Sequence, residues 1–163
     1  MVTSELLAKL ELFEGLPEEA LRSIAALCDP VSFEPHRTIF AMGQPADRTY
    51  LLLEGKVQLS LHTTALSKPA TVTYLETTGQ TFGWSAVIGS GYYTSAAQAV
   101  TPVRAIVLQG SELMQYLTQD PTVGFVVMKR VAQVMSQRLG AMRKLLLETV
   151  IDCDRPAEAS AEN

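Results

Sequence analysis

Apolar residues change their spacing twice along this chain, and the changes divide it into three stretches. Leu6, Leu7, Leu10 and Phe13 follow Ser4 at helical intervals, Ser4 is placed to cap the first turn, and Gly15 ends the pattern. Pro17 opens a second helix with Glu18 and Glu19 in its first turn, where the helix dipole favours anions; Leu21, Ile24, Ala25 and Leu27-Cys28 form its apolar face. The texture changes at Asp29-Pro30. From Val31 to Leu108 the chain reads as short strands: Val57, Leu59 and Leu61 alternate with Gln58, Ser60 and His62, and Thr71 to Leu75 alternates likewise. Tyr50–Leu53 and Val103–Leu108 are more continuously apolar and read as buried strands. Turn signals separate them at Gly43-Gln-Pro45, Glu54-Gly55, Ser67-Lys-Pro69 and Thr78-Gly79. Many short strands at this spacing predict a sandwich, barrel or jelly roll.

Asp120-Pro121, a cap followed by a first-turn proline, begins a long helix reaching about Thr149. Phe125, Ala132, Leu139 and Leu146 recur every seven residues, as do Met128, Met135 and Met142, giving an a/d seam. Val127, Val131, Val134 and Leu145 form a second apolar stripe beside it. One stripe suffices to pack on the strands. The second predicts a homodimer through this helix, the alternative being a helix sunk deep in its own domain. The expected organisation is therefore helices and strands over 1–119, a long helix over 120–150 in the same domain, and a disordered tail over 151–163.

Composition narrows the function. The chain has 163 residues, enough for one domain, with 47% hydrophobic and 18% charged residues, as in a folded globular protein. A mean hydropathy of +0.15 is apolar for such a chain. No run approaches the ~20 residues of a membrane span, and the N-terminus lacks a basic segment followed by an apolar one. A cytoplasmic protein with no membrane partner is expected. The net charge of −4 argues against a general affinity for nucleic acid. Two cysteines, Cys28 and Cys153, can build neither a disulfide framework nor a four-ligand zinc site, and Cys28 reads as a small buried hydrophobe.

No catalytic constellation emerges. Gly83-Trp-Ser-Ala-Val87 opens like a nucleophile elbow but lacks its second glycine, and no histidine follows His62 to serve Ser85 as a base. His36 and His62 are too few for a metal centre of the kind jelly rolls can hold. Neither a Walker A loop nor a Gly-x-Gly-x-x-Gly fingerprint occurs. A non-enzyme with no metal and no cofactor is expected.

The order of motifs carries a family resemblance. Leu12-Phe-Glu-Gly-Leu-Pro-Glu-Glu-Ala20 precedes Phe40-Ala-Met-Gly-Gln-Pro-Ala-Asp47, then Tyr50-Leu-Leu-Leu-Glu-Gly-Lys-Val57, Gly79-Gln-Thr-Phe-Gly-Trp-Ser-Ala-Val87 and the long helix. From Leu12 to about Thr149 this resembles the cyclic-nucleotide-binding sensor of the catabolite-activator (Crp/Fnr) family. The resemblance implies a mainly β fold with α-helices: a double-stranded β-helix, or jelly-roll β-roll, with short N-terminal helices and a long C-terminal helix that often dimerises. It also implies that a short helix at Trp84–Ile88 cradles a ligand phosphate. Gly79 and Gly83 allow close backbone approach, and the N–H groups of Ser85, Ala86 and Val87 would face the anion; alternatively these glycines only make a tight turn.

The departures redirect the expectation. Nucleotide-binding members carry glutamate after Phe82-Gly83 for the ribose hydroxyl and arginine before a Thr/Ser-Ala pair for the cyclic phosphate. Here Trp84 and Tyr93 stand there, Tyr93 ahead of Thr94-Ser95, and no lysine or arginine lies between Lys68 and Arg104. Losing one charge-assisted hydrogen bond of ~1.5–3 kcal/mol weakens binding by roughly one to two decades. Trp84 and Tyr93, with Tyr92 beside them, either stack on a flat ligand or plug the pocket. Arg143 is a candidate substitute cation, if the long helix folds back. The expected site is thus Phe82, Gly83, Trp84, Ser85, Ala86, Val87, Tyr93, Thr94, Ser95 and Arg143.

Transcription factors of the family continue into a helix-turn-helix, whereas here a short polar tail follows Ile151; Lys129, Arg130, Arg138, Arg143 and Lys144 read as a solvated face. The expected function is a stand-alone regulatory sensor for signal transduction. It would bind a small ligand, a cyclic nucleotide weakly or another molecule, signal through its C-terminal helix, and make no direct contact with nucleic acid. The alternatives are a ligand-free interaction or assembly module and, third, an anti-regulator forming mixed dimers with a DNA-binding relative.

Overall fold

The two faces of the central strands are buried against different partners, and this sets the architecture. The computed structural model describes residues 1–62 and 69–154, with side chains except at 145 and 148–154. Strands β1 (Cys28–Phe33), β2 (Thr38–Phe40), β3 (Arg48–Glu54), β4 (Val57–Leu61), β5 (Ala70–Leu75), β6 (Thr81–Phe82), β7 (Ala96–Ala99) and β8 (Val103–Gln109) form two four-stranded sheets, ordered β1-β8-β3-β6 and β2-β7-β4-β5. Every pairing is antiparallel. Tyr50 and Leu52 of β3 enter the core of the roll with Phe40, Val57, Leu75, Phe82 and Ala105. Leu51, with Ile106 and Leu108 of β8, faces the opposite way into a core shared with the helices. Continuous apolar runs at β3 and β8 follow from burial on both faces.

The helical layer consists of α1 (Ser4–Leu7), α2 (Glu18–Ala25), α4 (Gly110–Gln119) and α5 (Pro121–Asp154), with the short α3 (Ser85–Ile88) between β6 and β7. Val123, Val127 and Val131 of α5 are buried beside Leu7, Phe13, Ile24 and Leu113. The valine stripe is therefore the intradomain face. The seam divides: Phe125 at 71% and Leu146 at 65% stay exposed, whereas Met128 packs on the helical core. Asp120 caps α5 as expected, accepting from Val123 N at 3.2 Å.

Several expectations need correction. The first helix covers only Ser4–Leu7, capped by the hydroxyl of Thr3 and not of Ser4, and turns carry Leu10 and Phe13 into the core. Asp29-Pro30 is no boundary but part of β1, where pairing with β8 overrides the local turn preference. Cys28 is the first residue of that strand, not helical, although it is buried as expected. A β-bulge after Leu59 breaks the alternation of β4 and buries Ser60. Helix α5 continues to Asp154, so 151–154 is helical; the rest of the expected disordered tail, and Ser67-Lys68 of one expected turn, lie outside the described residues.

Candidate functional site

Two glycines with different steric demands hold α3 against the roll. Gly83 has φ +80°, and a Cβ there would lie 2.8 Å from Arg48 O and 3.3 Å from Tyr50 Cδ2. Gly110 begins α4 where a Cβ would meet Ala86 O at 2.1 Å, so α3 rests directly on α4 backbone. Between this corner, the roll and α5 lies a cavity of about 540 Å³. The β-roll side supplies Phe40, Leu59, Val72, Thr81, Phe82, Gly83, Trp84, Ser85, Ile88, Tyr93, Thr94 and Ser95; helix α5 supplies Ala132, Met135, Ser136, Arg138, Leu139 and Met142.

An aromatic column underlies the cavity. Phe40 stacks on Tyr93 with ring centroids 3.8 Å apart and planes at 12°, and Tyr50 stacks on Phe82 at 5.2 Å. Tyr93 is 3% exposed, and burial pushes its phenol up to about 12. Its hydroxyl is engaged with the Arg48 backbone, so Tyr93 presents the cavity a ring and no free polar group. Trp84 is 8% exposed, and its Nε1–H is buried without an acceptor among the described residues, a state that costs about 1–3 kcal/mol.

The geometry sorts the expected residues. Phe82, Gly83, Trp84, Ser85, Tyr93, Thr94 and Ser95 line one space. Ala86 and Val87 do not: their N–H groups close turns onto Gly83 O at 3.2 Å and Trp84 O at 2.9 Å, because a single turn of helix uses these donors internally. Tyr92 is 60% exposed and also outside the lining, pairing in a β-bridge with Pro45. Arg143 is exposed and outside the lining; Arg138, five residues earlier and nearer the roll, takes its place. Arg138 is half-buried, desolvation holds its pKa below the usual guanidinium value, and its Nη2 donates to Thr81 O at 3.3 Å. The heptad seam contained this signal, since Arg138 adjoins Leu139 on the cavity side, but charge alone could not separate it from the solvated arginines. Helix α4 carried no signal recognised in the sequence, and its Gly110 supports the site.

A family model described as "Cyclic nucleotide-binding domain" matches residues 30–120, which include both sheets (but for the first two residues of β1), α3 and most of the cavity wall. The chain belongs to this cyclic nucleotide-binding domain family. A putative cyclic nucleotide-binding protein from Geobacter metallireducens shares 33% identity and a TM-score of 0.74, over 85% of this chain and 99% of that one. A CRP-like cAMP-activated global transcriptional regulator of Mycobacterium tuberculosis is 27% identical over 83% of this chain and 58% of its own length. A putative potassium channel protein of Rhodopseudomonas palustris is 26% identical over 99% of this chain and 37% of its own. The chain thus spans little more than half, or less, of these two curated relatives. Among the described residues, no helix of this cyclic nucleotide-binding domain is long and apolar enough to cross a membrane.

Proposed function

We propose that this domain is a non-catalytic regulatory sensor that takes a small molecule between the roll and α5 and signals by shifting α5. The observation that carries this reading is the shared wall: a molecule touching Gly83, Trp84 and Thr94 also meets Met135, Arg138 and Met142 of α5. A ligand moves such a helix only as far as it prefers one helix position over another. Family membership makes cyclic nucleotides the first ligands to test, and the missing carboxylate and the use of Tyr93 by Arg48 argue that they bind weakly. The exposed seam residues Phe125 and Leu146, which lie outside the cavity lining, support a homodimer through α5, and equally a second reading in which the domain is an interaction module.

The test is a cyclic AMP titration followed by Trp84 emission, calorimetry and amide exchange over residues 132–142. Weak saturable binding with slowed exchange in α5 supports the sensor. Binding at Trp84 with unaltered exchange in α5 overturns signalling through that helix. Micromolar binding would show that aromatic walls and backbone donors replace the missing charges.

A further inference from the structure

The charge pattern of the cavity is unusual for one that must hold a sugar phosphate. Among the described residues Arg138 is the one cationic side chain lining it, and no aspartate or glutamate lines it. Arg138 belongs to no ion pair among the described residues; its described hydrogen bond goes to a neutral acceptor, the Thr81 carbonyl. A guanidinium has five N–H donors in a planar fork, so the bond to Thr81 anchors the group and leaves an edge for a second acceptor. Its desolvation is uncompensated, which favours an anion beside it.

The remaining surface is apolar. Phe82, Trp84, Met135, Leu139 and Met142 line the same cavity with rings, thioethers and an isobutyl group, and Thr81, Ser85, Thr94, Ser95 and Ser136 add hydroxyls but no charge. A nucleotide would bring ribose hydroxyls, ring oxygens and base heteroatoms against these walls, many of them without partners. A molecule with one anionic end and an apolar body brings fewer polar atoms that need partners there. The cavity of about 540 Å³ falls within the range for drug-sized ligands.

Resting on the sensor reading above, the geometry points to an apolar carboxylate, an aryl or alkyl body bearing one carboxylate, as the ligand class, with Arg138 as its anchoring and specificity-determining residue. The carboxylate takes two parallel N–H bonds from the Arg138 fork, and the body lies on Phe82, Trp84 and Met135. Because Arg138 sits on α5 and bonds β6 through Thr81, the same fork connects ligand, roll and helix.

Trp84 is the single tryptophan of the chain, so its emission reports the cavity directly. The probes are 4-phenylbutanoate and decanoate, their uncharged amides, and cyclic AMP, each titrated into the full chain with calorimetry alongside. Both carboxylates should bind at least about tenfold tighter than their amides, the loss of a charge-assisted pair. Arg138→Met should remove that acid-over-amide preference while leaving amide affinity within about twofold, and Arg138→Lys should restore part of it. Equal affinity of acid and amide for the unaltered chain overturns the assignment without any variant. Binding of cyclic AMP alone overturns it and leaves the sensor reading standing. Silence from every probe, with Trp84 emission constant, counts against both.

Discussion

The phenol of Tyr93 engages both backbone polar groups of one residue of β3: its hydroxyl donates to Arg48 O at 2.7 Å and accepts from Arg48 N at 3.1 Å. This ties the segment after α3 to the strand forty-five residues earlier, in a position where Phe40 stacks on the same ring. Tyr93→Phe should keep the stack and lose the clamp, costing about 1–3 kcal/mol in urea unfolding, while Tyr93→Ala should cost about 3–5 kcal/mol. Indistinguishable midpoints for Tyr93→Phe and the unaltered chain would show that water replaces the hydroxyl without loss.

Alkaline stability should report the buried acids Cys28, Tyr50 and Tyr93, the phenol of Tyr50 being raised by burial like the other two. Burial, with Asp29 adding to it, pushes the Cys28 thiol from 9.0 up to about 12, and burial likewise pushes Tyr93 from 10.0 to about 12. Between pH 9.0 and about 12 the unfolded chain therefore holds fewer protons than the folded one. These groups should leave stability unchanged below pH 9.0 and lower it as pH rises through this window. Cys28→Ala should delay the onset towards pH 10.0, read as melting temperature against pH. Identical profiles for the two proteins between 9.0 and 10.0 would refute the thiol's part.

Glycines on the two sides of the molecule should respond in opposite directions. Gly83→Ala meets Arg48 O at 2.8 Å in a left-handed conformation, and Gly110→Ala meets Ala86 O at 2.1 Å; each should cost at least about 2 kcal/mol. Gly140 lies on exposed α5 with nothing within 4 Å of an added Cβ, so Gly140→Ala should stabilise by about 0.5–1 kcal/mol. Chemical denaturation of the three variants checks the set. A destabilised Gly140→Ala would mean that the helix bends or meets a partner there.

Subunit association can be tested on residues outside the cavity. Phe125 and Leu146 are exposed on the seam and absent from the lining. Phe125→Glu with Leu146→Glu should convert a dimer to a monomer in sedimentation equilibrium, weakening association by about two decades or more. A monomeric unaltered chain, or a double variant that still dimerises, would remove α5 from the dimer interface.

Much of the β-roll was legible from apolar runs and alternation: Val103–Gln109 and Arg48–Glu54 lie where the runs placed them, and Val57–Leu61 and Ala70–Leu75 where the alternation did. Helix α4 was not, because Gly110, Ser111 and Thr118 dilute its apolar face and its stability comes from packing Leu113 and Leu117 against the other helices. At the site, family order located Phe82–Ser85 and Tyr93–Ser95, since these positions are fixed by the corner at Gly83. The cationic residue was missed by five positions. Which arginine of a helix reaches a cavity depends on where the helix crosses the roll, and a heptad pattern records spacing but not that crossing point.

The reach of α5 gives the cavity mechanical leverage. From Arg138 to Asp154 the helix extends sixteen further residues, or about 24 Å at 1.5 Å each. A pivot of about ten degrees at Arg138 would carry the far end through roughly 4 Å, a displacement comparable with a helical turn. A change of atomic size beside Thr81 thus becomes, at the tip, a difference in which residues two neighbouring surfaces can bring into register.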